Sequence, residues 1–189
     1  MQGIDFNINA NVAIRCVDKN TAKYKEWYGH NLATKTMALG IFKFLRGDFD
    51  IGGSEDSMKS FYPFYLVMGN SNNPVTFEDT SLGAPLYEDG SKDSTPPYTV
   101  GTKIQTIDIG SNGFSESTNT LTLPLRFYVP TNVLDGTTAK PTIIKEVGLY
   151  TPNHQLCARF VLDTPIEKKE NDFIDVVWEI SITTINENT

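Results

Sequence analysis

The sequence is short of the residues on which most catalytic and ligand-binding signatures depend. It holds 2 histidines, 2 cysteines and 2 tryptophans in 189 residues. Cys16 and Cys157 are too few for the disulfide framework of a small secreted domain, and two reduced, buried thiols are expected instead. No apolar run approaches the roughly 18–20 residues of a membrane-spanning helix. The opening MQGIDFNINANVAIRC lacks a basic stretch followed by an apolar one, so no signal peptide is expected. Positive charge is scarce as well, with 16 Lys and Arg against 23 Asp and Glu, a formal charge of −7. Such a chain repels phosphates, which argues against direct nucleic-acid binding and against docking on an anionic membrane.

Catalytic and metal-binding motifs are missing too. There is no HExxH, H-x-x-x-H or CxxC, no phosphate-binding or dinucleotide glycine pattern, and no nucleophile elbow around Ser54 or Gly110–Gly113. Asp48 and Asp50 in GDFDIGG lack the register of an EF-hand loop. A zinc site would need Cys16, His30, His154 and Cys157 to converge, and the histidines are expected at the surface instead. No catalytic residue, metal ligand or cofactor is therefore assigned, and the chain is expected not to be an enzyme.

What is present favours strands. Apolar residues make up 39 %, enough for a core, and 21 Thr, 15 Asn, 14 Gly and 10 Pro supply strand formers and turns. In residues 6–16, Phe6, Ile8, Ala10, Val12, Ile14 and Cys16 alternate with mainly polar residues. This first strand, within 1–17, is expected at a sheet edge or paired with a neighbouring subunit. Ile174, Val176, Trp178, Ile180 and Ile182 form the clearest alternation, and Leu121–Val129 and residues 98–109 alternate as well. Residues 61–69 read as a buried strand, and 142–150 with 156–163 as a hairpin around Pro152-Asn153, both faces partly apolar. One helix is expected over 31–46, capped by Asn31 or Thr34, with Leu32, Leu39, Phe42 and Leu45 in its stripe. Residues 70–100 are rich in turn formers and read as a long insertion loop or arm. The whole predicts a single domain over 1–189. Its class is mainly β: an antiparallel β-sandwich with one α-helix in the N-terminal third and a long loop.

Two groups of side chains stand out. Glu146 and Arg159 lie among apolar neighbours on the two arms of the hairpin, opposite each other or one step apart, and read as a structural ion pair. The mixed charges from Glu167 to Asp175 read as a solvated turn.

Two segments resemble a pattern found in structural proteins of tailed-bacteriophage virions. In YPFYLVMGNSNNPVTFEDTSL the matching residues are Leu66, Met68, Gly69, Pro74, Asp79, Thr80 and Leu82. In IKEVGLYTPNHQLCARFVLDTPIEKKENDFIDVVWEISI they are Glu146, Gly148, Leu149, Tyr150, Ala158, Arg159, Ile166, Lys168, Val176, Trp178 and Ile180. HNLATKTMALGIFKFLRG is similar to a helix opening in the same proteins. The resemblance implies a non-enzymatic component of the tail, baseplate or neck (collar), assembled in the host cytoplasm with copies of itself and other virion proteins. The expected contact residues are Tyr24, Trp27, Tyr28, Pro74, Phe77, Leu82, Leu86 and Tyr87. The alternative is a head-decorating or fibre-linked module that binds host-surface glycans, for which Tyr24, Trp27 and Tyr28 offer rings to stack on a sugar.

Overall fold

A computed structural model of the chain describes residues 5–46, 65–86, 102–103, 114–115, 120–134, 136–151 and 154–185. In chain order the elements are β1 (Asp5–Asp18), β2 (Tyr24–His30), β3 (Leu32–Ala33), helix α1 (Lys35–Arg46), β4 (Tyr65–Gly69) and β5 (Thr102–Lys103). They continue as β6 (Phe114–Ser115), β7 (Thr120–Val129), β8 (Thr142–Tyr150), β9 (Leu156–Lys168) and β10 (Asp172–Ile185). Two antiparallel sheets result, one ordered β2-β1-β10-β7-β6 and the other β3-β9-β8-β4-β5. Among the described residues the chain adopts the expected mainly-β, sandwich-like architecture with one short helix.

The alternating sequences explain the packing. From the first sheet Val12, Ile14, Val176, Trp178, Leu125 and Phe127 turn inward and are buried. Leu66, Met68, Val147, Leu149, Ala158 and Ile166 meet them from the second sheet in one core. A strand with so regular an apolar side is well covered inside a sheet, and β1 is found there, between β2 and β10. Over Asn11–Val17 it is flanked by β2 on one side and β10 on the other. The edge position expected for the first strand is thus corrected, because its own chain takes both hydrogen-bonding sides of this stretch.

Asn31 carries the chain from one sheet to the other. It follows β2 and precedes β3, whose partner is β9. The amide, oriented by the groups around it, donates to Ala10 O at 2.7 Å and accepts the Trp178 indole N–H at 3.2 Å. A buried indole needs such a partner, so Asn31 serves the core rather than capping a helix. The helix starts only at Lys35 because Leu32 and Ala33 are drawn into strand pairing. Thr34 is fully buried, and its hydroxyl donates towards the Leu156 and Cys157 carbonyls at 2.5 and 2.9 Å. Among the described helix side chains Met37 is buried, whereas Leu39 is 48 % exposed and lies outside the expected stripe. The side chains of Leu32, Phe42 and Leu45 fall outside the described residues, as does the Pro152-Asn153 turn.

One further expectation is corrected and another is narrowed. Lys168, read as part of a solvated turn, is completely buried, and its ammonium donates to Thr131 O at 3.1 Å. It alternates with exposed Glu167 and Lys169 at the end of β9, so the strand period rather than the charge run decides its side. Of the loop and the arm expected over 70–100, residues 70–86 form the loop. Asn70 N donates to Ala84 O at 2.8 Å and Leu86 N to Met68 O at 3.0 Å, closing the segment into a loop whose ends touch. Tyr87 and the remainder to residue 100 fall outside the described residues.

Candidate functional site

The outer face of the second sheet is where the polar chemistry concentrates. Successive strand residues alternate sides, so Val67 and Gly69 of β4 share this face with Glu146, Gly148 and Tyr150 of β8 and Arg159 of β9. The loop 70–84 lies over it. Leu82, 3 % exposed, packs with Val67, Tyr150 and Leu156 in a second, smaller core. Two glycines permit this closeness. A Cβ on Gly148 would stand 2.8 Å from both Leu82 and Leu156, and one on Gly69 would stand 2.5 Å from Glu146 Oε1.

Glu146 and Arg159 are joined under the loop. The Arg159 Nε and Nη2 each reach Glu146 Oε2 at 2.8 Å, with side chains 3 % and 0 % exposed. They are neither opposite nor one step apart: Arg159 pairs with Gly148, and Glu146 with Val161. A register irregularity between Leu149 and Tyr150, on the turn side of both residues, accompanies this diagonal, which long side chains span readily. The carboxylate also accepts three loop amides, Ser71 N at 3.2 Å, Gly83 N at 3.1 Å and Ala84 N at 2.8 Å. Arg159 donates onward to Asp79 Oδ2 at 2.8 Å, Asn73 O at 3.1 Å and Pro74 O at 3.4 Å. Tyr150 completes the set, its hydroxyl oxygen accepting Leu82 N at 2.8 Å.

Asp79 was not singled out from the sequence as Arg159's second carboxylate. The signal available was local: Thr76 stands three residues earlier, and both its amide and its hydroxyl donate to Asp79, at 3.0 and 2.7 Å. Burial alone would raise the Asp79 carboxyl, but the Thr76 amide and the Arg159 guanidinium outweigh it and hold it below its ordinary 3.8. Burial likewise opposes charge on Arg159, and its carboxylate partners overcome this, so it stays ionised. For Asp79 the sign follows directly. A carboxyl depressed by folding contributes stability that is complete above the unfolded value and disappears as pH falls through the folded one. The stability gap between the natural chain and Asp79→Asn should therefore be constant at neutral pH and shrink below pH 3.8. Denaturant midpoints measured across an acid pH series check this, and a gap independent of pH would exclude the linkage.

The expected contact residues divide. Leu82 and Leu86 are buried, so they belong to the interior and are withdrawn as contacts. Trp27 is half-buried, packed against the main core. Pro74 is exposed at the loop surface and Phe77 is 45 % exposed. Tyr24 and Tyr28, 57 % and 67 % exposed, stand on the outer face of the first sheet. There Arg15 lies 4.8 Å above the Tyr24 ring and donates to Glu26 at 2.7 Å, while the Tyr28 hydroxyl donates to the other Glu26 oxygen at 2.7 Å.

The cysteines are both free and buried, and burial pushes each thiol up to about 12. Neither offers a thiolate nucleophile near neutral pH. Among the described residues no three His, Cys, Asp or Glu side chains gather as a metal-ligand set, and no described helix is long and apolar enough to cross a membrane. The chain matches no known family model, no curated protein and no solved structure.

Proposed function

We propose that the chain is a non-enzymatic structural component of a tailed-phage virion, in the tail, baseplate or neck. In this reading it assembles in the host cytoplasm with copies of itself and other virion proteins. One observation carries the proposal. The residues on which the resemblance rests, although more than sixty positions apart, converge on one device. Gly69, Asp79 and Leu82 from one segment meet Glu146, Gly148, Tyr150 and Arg159 from the other. Their polar atoms are engaged with the chain's own backbone and with each other. Such residues hold a loop in a fixed shape, a task suited to presenting a surface to neighbours.

The presented surface is the loop tip. Phe77 is exposed, and its carbonyl accepts Lys35 N at 2.9 Å, which ties the tip to the start of α1. Leu39, also exposed, lies one helical turn beyond Lys35 on the same side. Two large apolar side chains exposed on elements tied together in this way suit an interface better than solvent. Light scattering over a concentration series should give a discrete oligomer for the natural chain and a shift towards monomer for Phe77→Asp. A natural chain monomeric at every concentration would remove self-assembly from the proposal.

A further inference from the structure

On the outer face of the first sheet, Tyr28 is 67 % exposed yet fixed, because its hydroxyl is committed to Glu26, which Arg15 holds in turn. A rigid exposed ring loses little freedom when something stacks on it. Two hollows flank the ring, of about 570 and 280 Å³, and share a small apolar floor of Ala13 and Val177. The larger is rimmed by Asn11, His30 and Glu179. The smaller is rimmed by Arg15, Glu26, Arg126 and Asp175.

The register accounts for the arrangement. Ala13 pairs with Tyr28 on one side and Val177 on the other, so the three lie in one row across β2, β1 and β10. The next rows carry the polar rims: Arg15 with Glu26 and Asp175, and Asn11 with His30 and Glu179. Ala13 is the small member of the central row and leaves the floor low between its two larger neighbours.

The geometry points to a binding site for a neutral saccharide, seated with a pyranose ring on Tyr28 and its hydroxyls on the two polar rims. The choice of ligand follows from the chemistry of the face. Around the ring two guanidinium groups oppose three carboxylates, and the whole chain carries −7, so a phosphorylated or sulfated ligand would be repelled. A purely apolar ligand would leave both rims without water or partners. A sugar ring has an apolar face for Tyr28 and an edge of hydroxyls that both accept and donate. This inference does not depend on the virion reading, since it rests on a different sheet and different residues.

The test is a two-dimensional ¹H–¹⁵N NMR titration of the full chain with three probes, chitotetraose, maltotetraose and cellotetraose. At least one should give saturable shifts confined to residues 11–15, 26–30, 126–127 and 175–179, with a Kd of about 1 mM. Tyr28→Ala should weaken that binding about tenfold or more, while Tyr28→Phe, which keeps the ring but releases it from Glu26, should weaken it distinctly less. Ala13→Lys, which fills the floor, should also abolish it and guards against reading a local unfolding of the tyrosine variant as loss of the site. No shift with any probe, shifts elsewhere, or unchanged binding by Tyr28→Ala would overturn the proposal. So would shifts of these residues that follow protein concentration without sugar, which would make the face a contact between copies.

Discussion

Replacing Arg159 by Ala should destabilise the chain by about 3–5 kcal/mol, the usual consequence of removing one member of a buried ion pair. The substitution leaves Glu146, completely buried, with its charge opposed only by backbone amides. It also releases Asp79 and frees the Asn73 and Pro74 carbonyls at the loop surface. In a chain of this size about 1 kcal/mol corresponds to 2–4 °C, so Tm should fall by about 6–20 °C. Arg159→Lys should recover only part of the loss, because one ammonium cannot span two carboxylates and two carbonyls as the guanidinium fork does. The double replacement Glu146→Leu with Arg159→Met should be less damaging than the sum of the single changes, since it leaves no lone charge behind. Equilibrium denaturant unfolding measures all of these. A loss below about 1 kcal/mol for Arg159→Ala would place the pair among surface-like ion pairs of little consequence.

Excising residues 71–83 and joining Asn70 to Ala84 should prevent stable folding. The cut removes Leu82 and uncovers Val67, Tyr150 and Leu156, which form the second core. It also takes away two of the three amides on Glu146 and every loop partner of Arg159. Exposing apolar side chains of that size costs about 1.5–3 kcal/mol each. Leaving a buried charged pair short of its hydrogen bonds costs several more. Together these approach the about 5–15 kcal/mol that holds a typical domain folded. Near-UV circular dichroism and NMR dispersion of the excised chain should both show loss of fixed tertiary structure. A dispersed spectrum with a cooperative melt near that of the natural chain would mean that the loop is an appendage after all.

The legible part of the fold was the part with a period. β1 and β10 announce themselves through side chains that alternate without error, and the first sheet is built around them. The buried pair was legible for a related reason: a glutamate and an arginine amid Val147, Leu149, Ala158 and Phe160 must be paired or very costly. The 70–86 segment was not legible, because its two anchoring leucines are spaced by no regular element and its main hydrogen-bond donors are backbone amides, which every sequence has. Its turn-forming composition describes its tight path but not what it packs on. Register also eluded the sequence, since an irregularity between Leu149 and Tyr150 puts Glu146 and Arg159 on a diagonal. For Trp27 the period itself held the answer: Tyr24, Glu26 and Tyr28 occupy one face of β2, and Trp27 must take the other. An aromatic cluster in sequence was split by the strand between solvent and core.

Phage membership is tested most directly by immunogold electron microscopy. An antibody raised against the purified chain would be applied to intact and disrupted tailed-phage particles whose genome encodes it. The expected result is gold at a fixed place on the tail, baseplate or neck in particle after particle. Absence of label from both intact and disrupted particles, with the chain abundant in the infected cell, would contradict the assignment.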